Sequence, residues 1–207
     1  MQSEKKTYRK LLLSFLKEQD TSQKITYVPD KDGVTPLFVS SYLGYVDFVE
    51  YFIVKCPGHI DVKDKEACKS GHTDVVKLLI DVGLNVNDTS NNGSTPLYLA
   101  CQNGHYDTVK YLLDLNGQTL NNQNTTLKDE VGWSVLHVAC SNGHSQVVKL
   151  LIDIGMNLND TSNKGSTPLF LACRNGHYDT VNFLLDLNGQ TLNSRVDTTL
   201  KDGNGCD

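Results

Sequence analysis

The amino-acid sequence predicts an all-α solenoid in which helix-turn-helix units stack side by side. The stretch Asn92–Leu115 returns as Lys164–Leu187 with 19 of 24 positions identical, so a structural unit has been duplicated. Self-similarity at a fixed period is the signature of repeat architectures. One histidine in each of four successive units marks the period: His72, His105, His144 and His177. Their spacings of 33, 39 and 33 residues indicate a basic period of 33, with about six residues inserted after the third unit.

Composition narrows the class of protein. A hydrophobic content of 39%, a charged content of 21% and a net charge of −5 suit a soluble globular chain. Interspersed charges give no basic footprint for nucleic acid. The apolar runs are too short to span a bilayer, and the N-terminal run lacks the cleavage site of a signal peptide. We therefore expect a cytoplasmic protein, with a nuclear location also open.

Four of the six cysteines recur once per unit, at equivalent positions. A small side chain that recurs in this way is more simply explained as a buried core residue than as part of a disulfide framework. We expect these thiols to be reduced and buried: Cys68, Cys101, Cys140 and Cys173.

The residues of one unit account for its helices. Thr95 before Pro96 is a good N-cap followed by a residue suited to the first helical turn. Gly104 ends the short apolar helix, and Asp107 places a negative charge near the start of the next one. The apolar residues at 109, 112 and 113 share one helical face. Neither helix could bury its apolar face alone, so the units must stack.

These features divide the chain into an N-terminal segment, an array and a tail. Residues 4–18 have helical spacing of apolar residues, and we expect a capping helix there; a membrane-surface helix is the alternative. The predicted segments are 1–29 for the cap and linker, 30–61, 62–88 (truncated), 89–128, 129–160 and 161–201 for five units, and 202–207 for the start of a further unit.

The pattern G-x-T-P-L-H-x-A-x-x-x-G-H-x-x-V-V-x-L-L-L, kept in register over residues 30–201, resembles the ankyrin repeat. The resemblance implies an L-shaped stack of antiparallel helix pairs with β-hairpin fingers, and a concave surface made of the fingers and first helices. It also implies a protein-interaction module without catalytic activity. In this family the repeat histidines, including the one matching His137, are structural.

Three departures from the pattern stand out. About seven residues are missing from the start of the second unit, which indicates a stub first helix, a genuine break in the array, or a splicing or gene-model deletion. We expect Val62–Ala67 to open more readily than its neighbours. A long connection, Gln118–Lys128, is either a binding finger or a tolerated insertion. The chain stops soon after Lys201, which indicates either a fragment of a longer array or an exposed end that associates.

Chemical motifs give no sign of catalysis. The nucleophile-elbow, phosphate-loop and zinc-protease motifs do not occur. Each Cys-x-x-x-His pair, such as Cys101 and His105, is separated by a helix-ending glycine, so its side chains do not share a helical face. Zinc needs four converging ligands. We therefore expect no metal and no cofactor, with histidines that hydrogen-bond to the backbone at the turns.

Surface positions that differ between the duplicated copies are candidates for partner binding, although unconstrained drift would also explain them. The single tryptophan joins them because tryptophan is enriched at interaction hot spots, with packing along the finger as the alternative. The candidate residues are Asn92, Tyr98, Gln102, Trp133, Lys164, Phe170 and Arg174.

The predicted function is to bind or scaffold another protein through the concave face, without catalysis. The alternative is a regulatory or substrate-tethering segment of a larger enzyme or receptor. We expect no nucleic-acid partner and no membrane span. We expect a monomer, with end-to-end association through the C-terminal unit as a further option.

Overall fold

The computed structural model describes Ser14 and residues 35–55, 66–89, 93–118 and 127–187. The chain forms two compact units, Met1–Asn85 and Val86–Asp207. Ten α-helices and no β-strand occur in the described residues, which confirms the predicted all-α repeat fold. The β-hairpin form of the fingers is not confirmed there. The expected capping helix, Asn92, most of Gln118–Lys128 and the tail from 202 lie outside the described residues.

The first compact unit contains two helix pairs. The first helices of the two pairs pack against each other, the second helices do the same, and each pair also packs internally. The helices are α1 (Pro36–Leu43), α2 (Val46–Lys55), α3 (Glu66–Ser70) and α4 (Thr73–Asp81).

The second compact unit contains three helix pairs that pack in the same way in its described residues. Its first helices form one layer, in which α7 packs between α5 and α9, and its second helices form another, in which α8 packs between α6 and α10. The helices are α5 (Pro96–Gln102), α6 (Tyr106–Gln118), α7 (Val135–Ser141), α8 (Ser145–Asp153), α9 (Pro168–Arg174) and α10 (Tyr178–Asp186).

The predicted start of the first helix is confirmed in three repeats. Each threonine has extended backbone and accepts a hydrogen bond through its Oγ1 from the third residue that follows it, at 3.0–3.1 Å. A proline then occupies the first helical turn, where its missing N–H costs nothing. The capping threonines are Thr35, Thr95 and Thr167.

The turn between the helices of a pair is held by the next repeat. Nε2 of His144 lies 3.0 Å from the carbonyl oxygen of Gln102, and its ring lies against Gly104. His72 and His177 make the same bond, at 3.1 and 2.8 Å, to the equivalent carbonyls of earlier repeats. For these three histidines, the contacts confirm the prediction of a bond to the backbone at the turn.

The cysteine prediction is right at three positions and wrong at the fourth. Cys68, Cys101 and Cys140 are fully buried, whereas Cys173 is exposed. The physical reason is position in the stack, because α7 is flanked by α5 and α9, while α9 has only α7 beside it among the described first helices.

Two helices differ in length from the repeat pattern. Helix α3 starts at Glu66, the equivalent of Leu99, so it lacks the threonine-proline opening and is a stub of five residues. Helix α6 continues through Gln118, so the first residue of the predicted long finger is the last residue of a helix. No helix in the described residues is long and apolar enough to cross a membrane.

Candidate interaction surface

The C-terminal residues of the first helices α5 and α9 carry exposed polar side chains. Gln102 and Arg174 are both exposed at this equivalent position. The carbonyl of Gln102 accepts a hydrogen bond from His144 of the next repeat. At the same position of α7, the carbonyl of Ser141 accepts from His177 at 2.8 Å and from Nδ2 of Asn175 at 2.7 Å. In α5 and α7 the backbone at this position is therefore held by the next repeat, while the side chain differs from one repeat to the next.

The turn that precedes α7, residues 129–133, is organised by one carboxylate. Oδ1 of Asp129 accepts hydrogen bonds from the backbone N–H groups of Trp133 at 2.8 Å and Val131 at 3.0 Å. The backbone N–H of Asp129 donates to the carbonyl of Trp133 at 3.0 Å, and that of Gly132 donates to the carbonyl of Asp129 at 2.9 Å. The turn is closed at both ends, with Trp133 half-buried and Val131 50% exposed.

Tyr98 contributes from the preceding repeat to the same carboxylate. Its hydroxyl donates to Oδ2 of Asp129 at 2.7 Å, and only 6% of its surface is exposed. Burial, and secondarily the Asp129 carboxylate, raise the pKa of Tyr98 well above its ordinary value, because both disfavour a phenolate. Tyr98 is therefore a neutral donor with a structural contact, and its predicted role at a partner stays a prediction.

The following turn, residues 162–166, lies directly against the first one. The backbone N–H of Asn163 donates to the carbonyl of Val131 at 3.1 Å, and its side chain donates to the carbonyl of Glu130 at 3.1 Å. Lys164 is exposed at the tip of this turn. The two turns thus form a continuous rim beside the N-terminal ends of the first helices.

His137 holds this second turn from the preceding repeat. Its Nε2 donates to the carbonyl of Ser166 at 3.1 Å, and its Nδ1 accepts from the backbone N–H of Ser134 at 3.3 Å. These partners assign the neutral imidazole with its proton on Nε2. Burial lowers the pKa of His137, against the opposing effect of Asp160, whose carboxylate lies 4.0 Å from Nδ1.

Three of the remaining candidate residues lie on or near α9. Phe170 occupies the position of Tyr98 and His137 in α9 and is half-buried. Lys164 and Arg174 belong to the same repeat as Phe170, at opposite ends of α9, a helix about 10 Å long at 1.5 Å per residue. The structure therefore does not bring all the predicted residues into one cluster, and it leaves their binding role a prediction.

Among the residues outside the predicted set, Asp129 in the first turn of the rim and Lys128 directly before it make contacts between repeats. Asp129 organises the first turn, and Lys128 donates to Oδ1 of Asp160 at 2.7 Å and to the carbonyl of Thr161 at 3.0 Å. Both link one repeat to the next, at separations of 31–33 residues. No local pattern in the sequence marks these bonds, because their partners meet only when successive repeats stack.

The thiols of Cys101 and Cys140 lie in the core, with no exposed surface. Burial raises the pKa of the thiols of Cys101 and Cys140 far above their ordinary range, which leaves them unreactive. In the part of the chain that the structure describes, no three histidine, cysteine, aspartate or glutamate residues come together as a metal site would require.

The structure is that of a repeat protein built from stacked helix pairs. Histidine-to-carbonyl bonds and rim contacts between turns join successive repeats, and the exposed side chains differ from one repeat to the next. The chain belongs to the ankyrin repeat family: the family model described as ankyrin repeats (3 copies) matches residues 65–124 and 115–196. Ankyrin repeats indicate a protein–protein interaction module, and the family is generally non-enzymatic.

The chain is also similar to protein fem-1 homolog of Drosophila melanogaster. The two are 33% identical over 79 residues, which cover 31% of this chain and 12% of that protein. The chain therefore matches only a small part of this relative's length.

Proposed function

We propose that this chain binds another protein through the surface made by the rim turns and the first-helix ends of its second compact unit. The observation that carries the proposal is the contrast between the two duplicated copies. Thr95 and Thr167 cap the same helix in the same way, while the exposed helix ends change from Gln102 to Arg174. A constant frame with variable exposed positions is how a repeat array acquires a specific partner.

The proposed contact residues are those of the predicted set that expose side-chain surface, together with Asn92. Trp133 supplies apolar area that can desolvate against a partner, and Arg174 and Lys164 supply charges that fix its orientation. Phe170, half-buried like Trp133, adds apolar area at the start of α9, and Tyr98, which is 6% exposed, supports the surface through its bond to Asp129. The residues are Asn92, Gln102, Trp133, Lys164, Phe170 and Arg174.

The chain acts in this proposal by binding alone, without catalysis, cofactor, nucleic acid or membrane span. Support comes from the roles of the reactive groups, because both ring nitrogens of His137 are engaged and the thiols of Cys101 and Cys140 are buried. The proposed location is the cytoplasm or nucleus, where such thiols remain reduced.

We also propose that the chain is a monomer whose last repeat can associate end to end with another molecule. Cys173 is exposed, whereas its counterparts are buried, and Leu185 of α10 is 41% exposed. These two side chains leave apolar surface at the side of the stack where a further repeat would pack.

Affinity capture with the intact chain tests the binding proposal. The Trp133→Ala and Arg174→Ala variants should lose partners that the wild-type chain retains, while Lys149→Ala, an exposed position on the second helix α8, should retain them. Resistance of Cys101 to alkylation checks that each variant is folded, since this thiol is fully buried. Equal capture by all four proteins would refute the choice of residues.

A second candidate function is that of a regulatory or substrate-tethering ankyrin segment of a larger enzyme or receptor. It is favoured by one observation, the 12% share of the much longer fem-1 relative that the matched stretch covers. The mass of the native polypeptide, detected with an antibody raised against residues 127–187, distinguishes the two. A mass near 22.9 kDa supports the stand-alone binding protein, and a much larger mass supports the segment.

A further inference from the structure

We infer that Tyr98 is a positioning residue for Trp133: from one repeat, its hydroxyl holds the turn of the next repeat in the orientation that presents the tryptophan to a partner. The inference deepens the proposed binding function and rests on it. It goes beyond that proposal because it assigns a task to a residue that itself has almost no exposed surface.

The connection between the two residues passes through one carboxylate. Oδ2 of Asp129 accepts from the Tyr98 hydroxyl at 2.7 Å, and Oδ1 accepts from the backbone N–H of Trp133 at 2.8 Å. Hydrogen bonds to an ionised carboxylate are shorter and stronger than neutral ones. Because both oxygens are engaged, the carboxylate cannot rotate without giving up a bond at one end.

The effect on Trp133 is to fix its backbone on both sides. Its N–H donates to the Asp129 side chain, and its carbonyl accepts from the Asp129 backbone at 3.0 Å. The first helix α7 starts two residues later, at Val135. A tryptophan held between a closed turn and a helix start is preorganised, which reduces the conformational entropy lost on binding.

In the following repeat, the residue at the equivalent position also bonds to the turn of the next repeat, through a different side chain. In α7 the residue is His137, which donates to the carbonyl of Ser166, the counterpart of Trp133. In α9 it is Phe170, which has no hydroxyl to donate. The tyrosine therefore makes a specific polar connection that the duplicated copy lacks, although both copies form the same capped helix.

The Tyr98→Phe variant tests the inference, with Trp133 as an intrinsic probe because it is the single tryptophan of the chain. The substitution removes one oxygen and reproduces the residue found at Phe170. We expect a red shift of the Trp133 emission and stronger quenching by acrylamide, while Cys101 stays resistant to alkylation. A merely structural role would change the reactivity of the buried thiol as well as the tryptophan signal.

The matched control is Tyr111→Phe, since the copies also differ as tyrosine and phenylalanine at Tyr111 and Phe183. This control should leave the Trp133 emission unchanged, and Asp129→Ala should reproduce the shift seen with Tyr98→Phe. An emission spectrum that is the same in wild type and Tyr98→Phe would overturn the inference. Its failure is separable from that of the proposed function, because capture by Trp133→Ala tests binding without reference to Tyr98.

Discussion

At the residue scale, the interlock between histidine and glycine gives the repeat stack its register. Gly104 has a φ of 73°, and a Cβ placed there would lie 2.4 Å from Nδ1 of His144. Gly176 has the same φ of 73°, with no described atom within 4 Å of a Cβ. A substitution at Gly176 therefore tests backbone strain alone, whereas one at Gly104 tests backbone strain together with a steric clash.

We predict that Gly104→Ala destabilises the chain more than Gly176→Ala. Both substitutions place a side chain in the left-handed region, at a cost of about 1–2 kcal/mol. Only Gly104→Ala also displaces the imidazole ring and its bond to the carbonyl of Gln102, which adds about 1 kcal/mol. Chemical denaturation of the two variants measures the difference, and equal losses would contradict the interlock.

His137 makes stability depend on pH in a predictable direction. Burial lowers its pKa below the ordinary value of about 6.5, so below that pH the unfolded chain binds more protons than the folded chain. The stability that neutral His137 contributes is fully present at pH values above about 6.5. It is lost as the pH falls, because protonation then favours the unfolded chain. Asp160, at 4.0 Å, reduces this loss, and Lys128 increases it.

We predict that His137→Gln is less stable than wild type at neutral pH but loses less stability between pH 7 and pH 5. A single proton contributes a slope of at most about 1.4 kcal/mol per pH unit. Urea unfolding at a series of pH values gives the slope for each protein. Parallel slopes would show that His137 does not titrate on unfolding.

Ser41 is the one side chain in the described residues that is fully buried with a polar atom lacking a hydrogen-bond partner. It occupies the position, six residues after the N-cap residue, that Cys101 and Cys140 occupy in other repeats. An unsatisfied buried hydroxyl costs about 1–3 kcal/mol. We predict that Ser41→Cys raises the free energy of unfolding by about 1 kcal/mol.

The neighbouring serine provides the control for this prediction. The Ser40 hydroxyl is also buried, but it donates to the carbonyl of Pro36 at 2.7 Å. Ser40→Ala should therefore bring no gain in stability. A Ser41→Cys variant that is less stable than wild type would show that the Ser41 hydroxyl is satisfied in solution.

At the element scale, the sequence predicted the features of a helix that depend on residues close together in the chain. Thr95-Pro96 predicted the start of α5, and Gly104 predicted the turn after it, since caps and left-handed glycines act over a few residues. The bond between Tyr98 and Asp129 was not predicted, because its partners are 31 residues apart and meet only once two repeats stack. The exposure of Cys173 depends likewise on its place in the stack.

The truncated helix α3 is the shortest helix in the part of the chain that the structure describes. It has five residues, against seven in α9, and it lacks the threonine cap and proline that start α9. We predict that backbone amides of Glu66–Ser70 exchange with solvent faster than those of Pro168–Arg174, in keeping with the expected opening near Val62–Ala67. Hydrogen exchange measured by mass spectrometry compares the two segments in one sample, and equal protection would contradict the prediction.

At the scale of the whole molecule, the sequence repeats predicted the fold but did not identify the partner. The period of 33 residues and the duplicated block predicted stacked helix pairs, and the family match over residues 65–196 agrees. Most residues of the duplicated block cap helices, form turns or pack in the core. In the proposed function, contact with a partner is therefore assigned to a few exposed positions, such as Gln102 and Arg174, at which the duplicated copies differ.

The central claim is that a partner protein contacts the rim and first-helix ends, and site-specific photo-crosslinking tests it most directly. A photoreactive amino acid placed at Lys164 or Arg174 should cross-link to the partner, and the same group at Lys149 or Asp153 on α8 should not. All four positions are exposed, so the probe itself does not disturb the core. Cross-links from Lys149 or Asp153, with none from Lys164 or Arg174, would contradict the account.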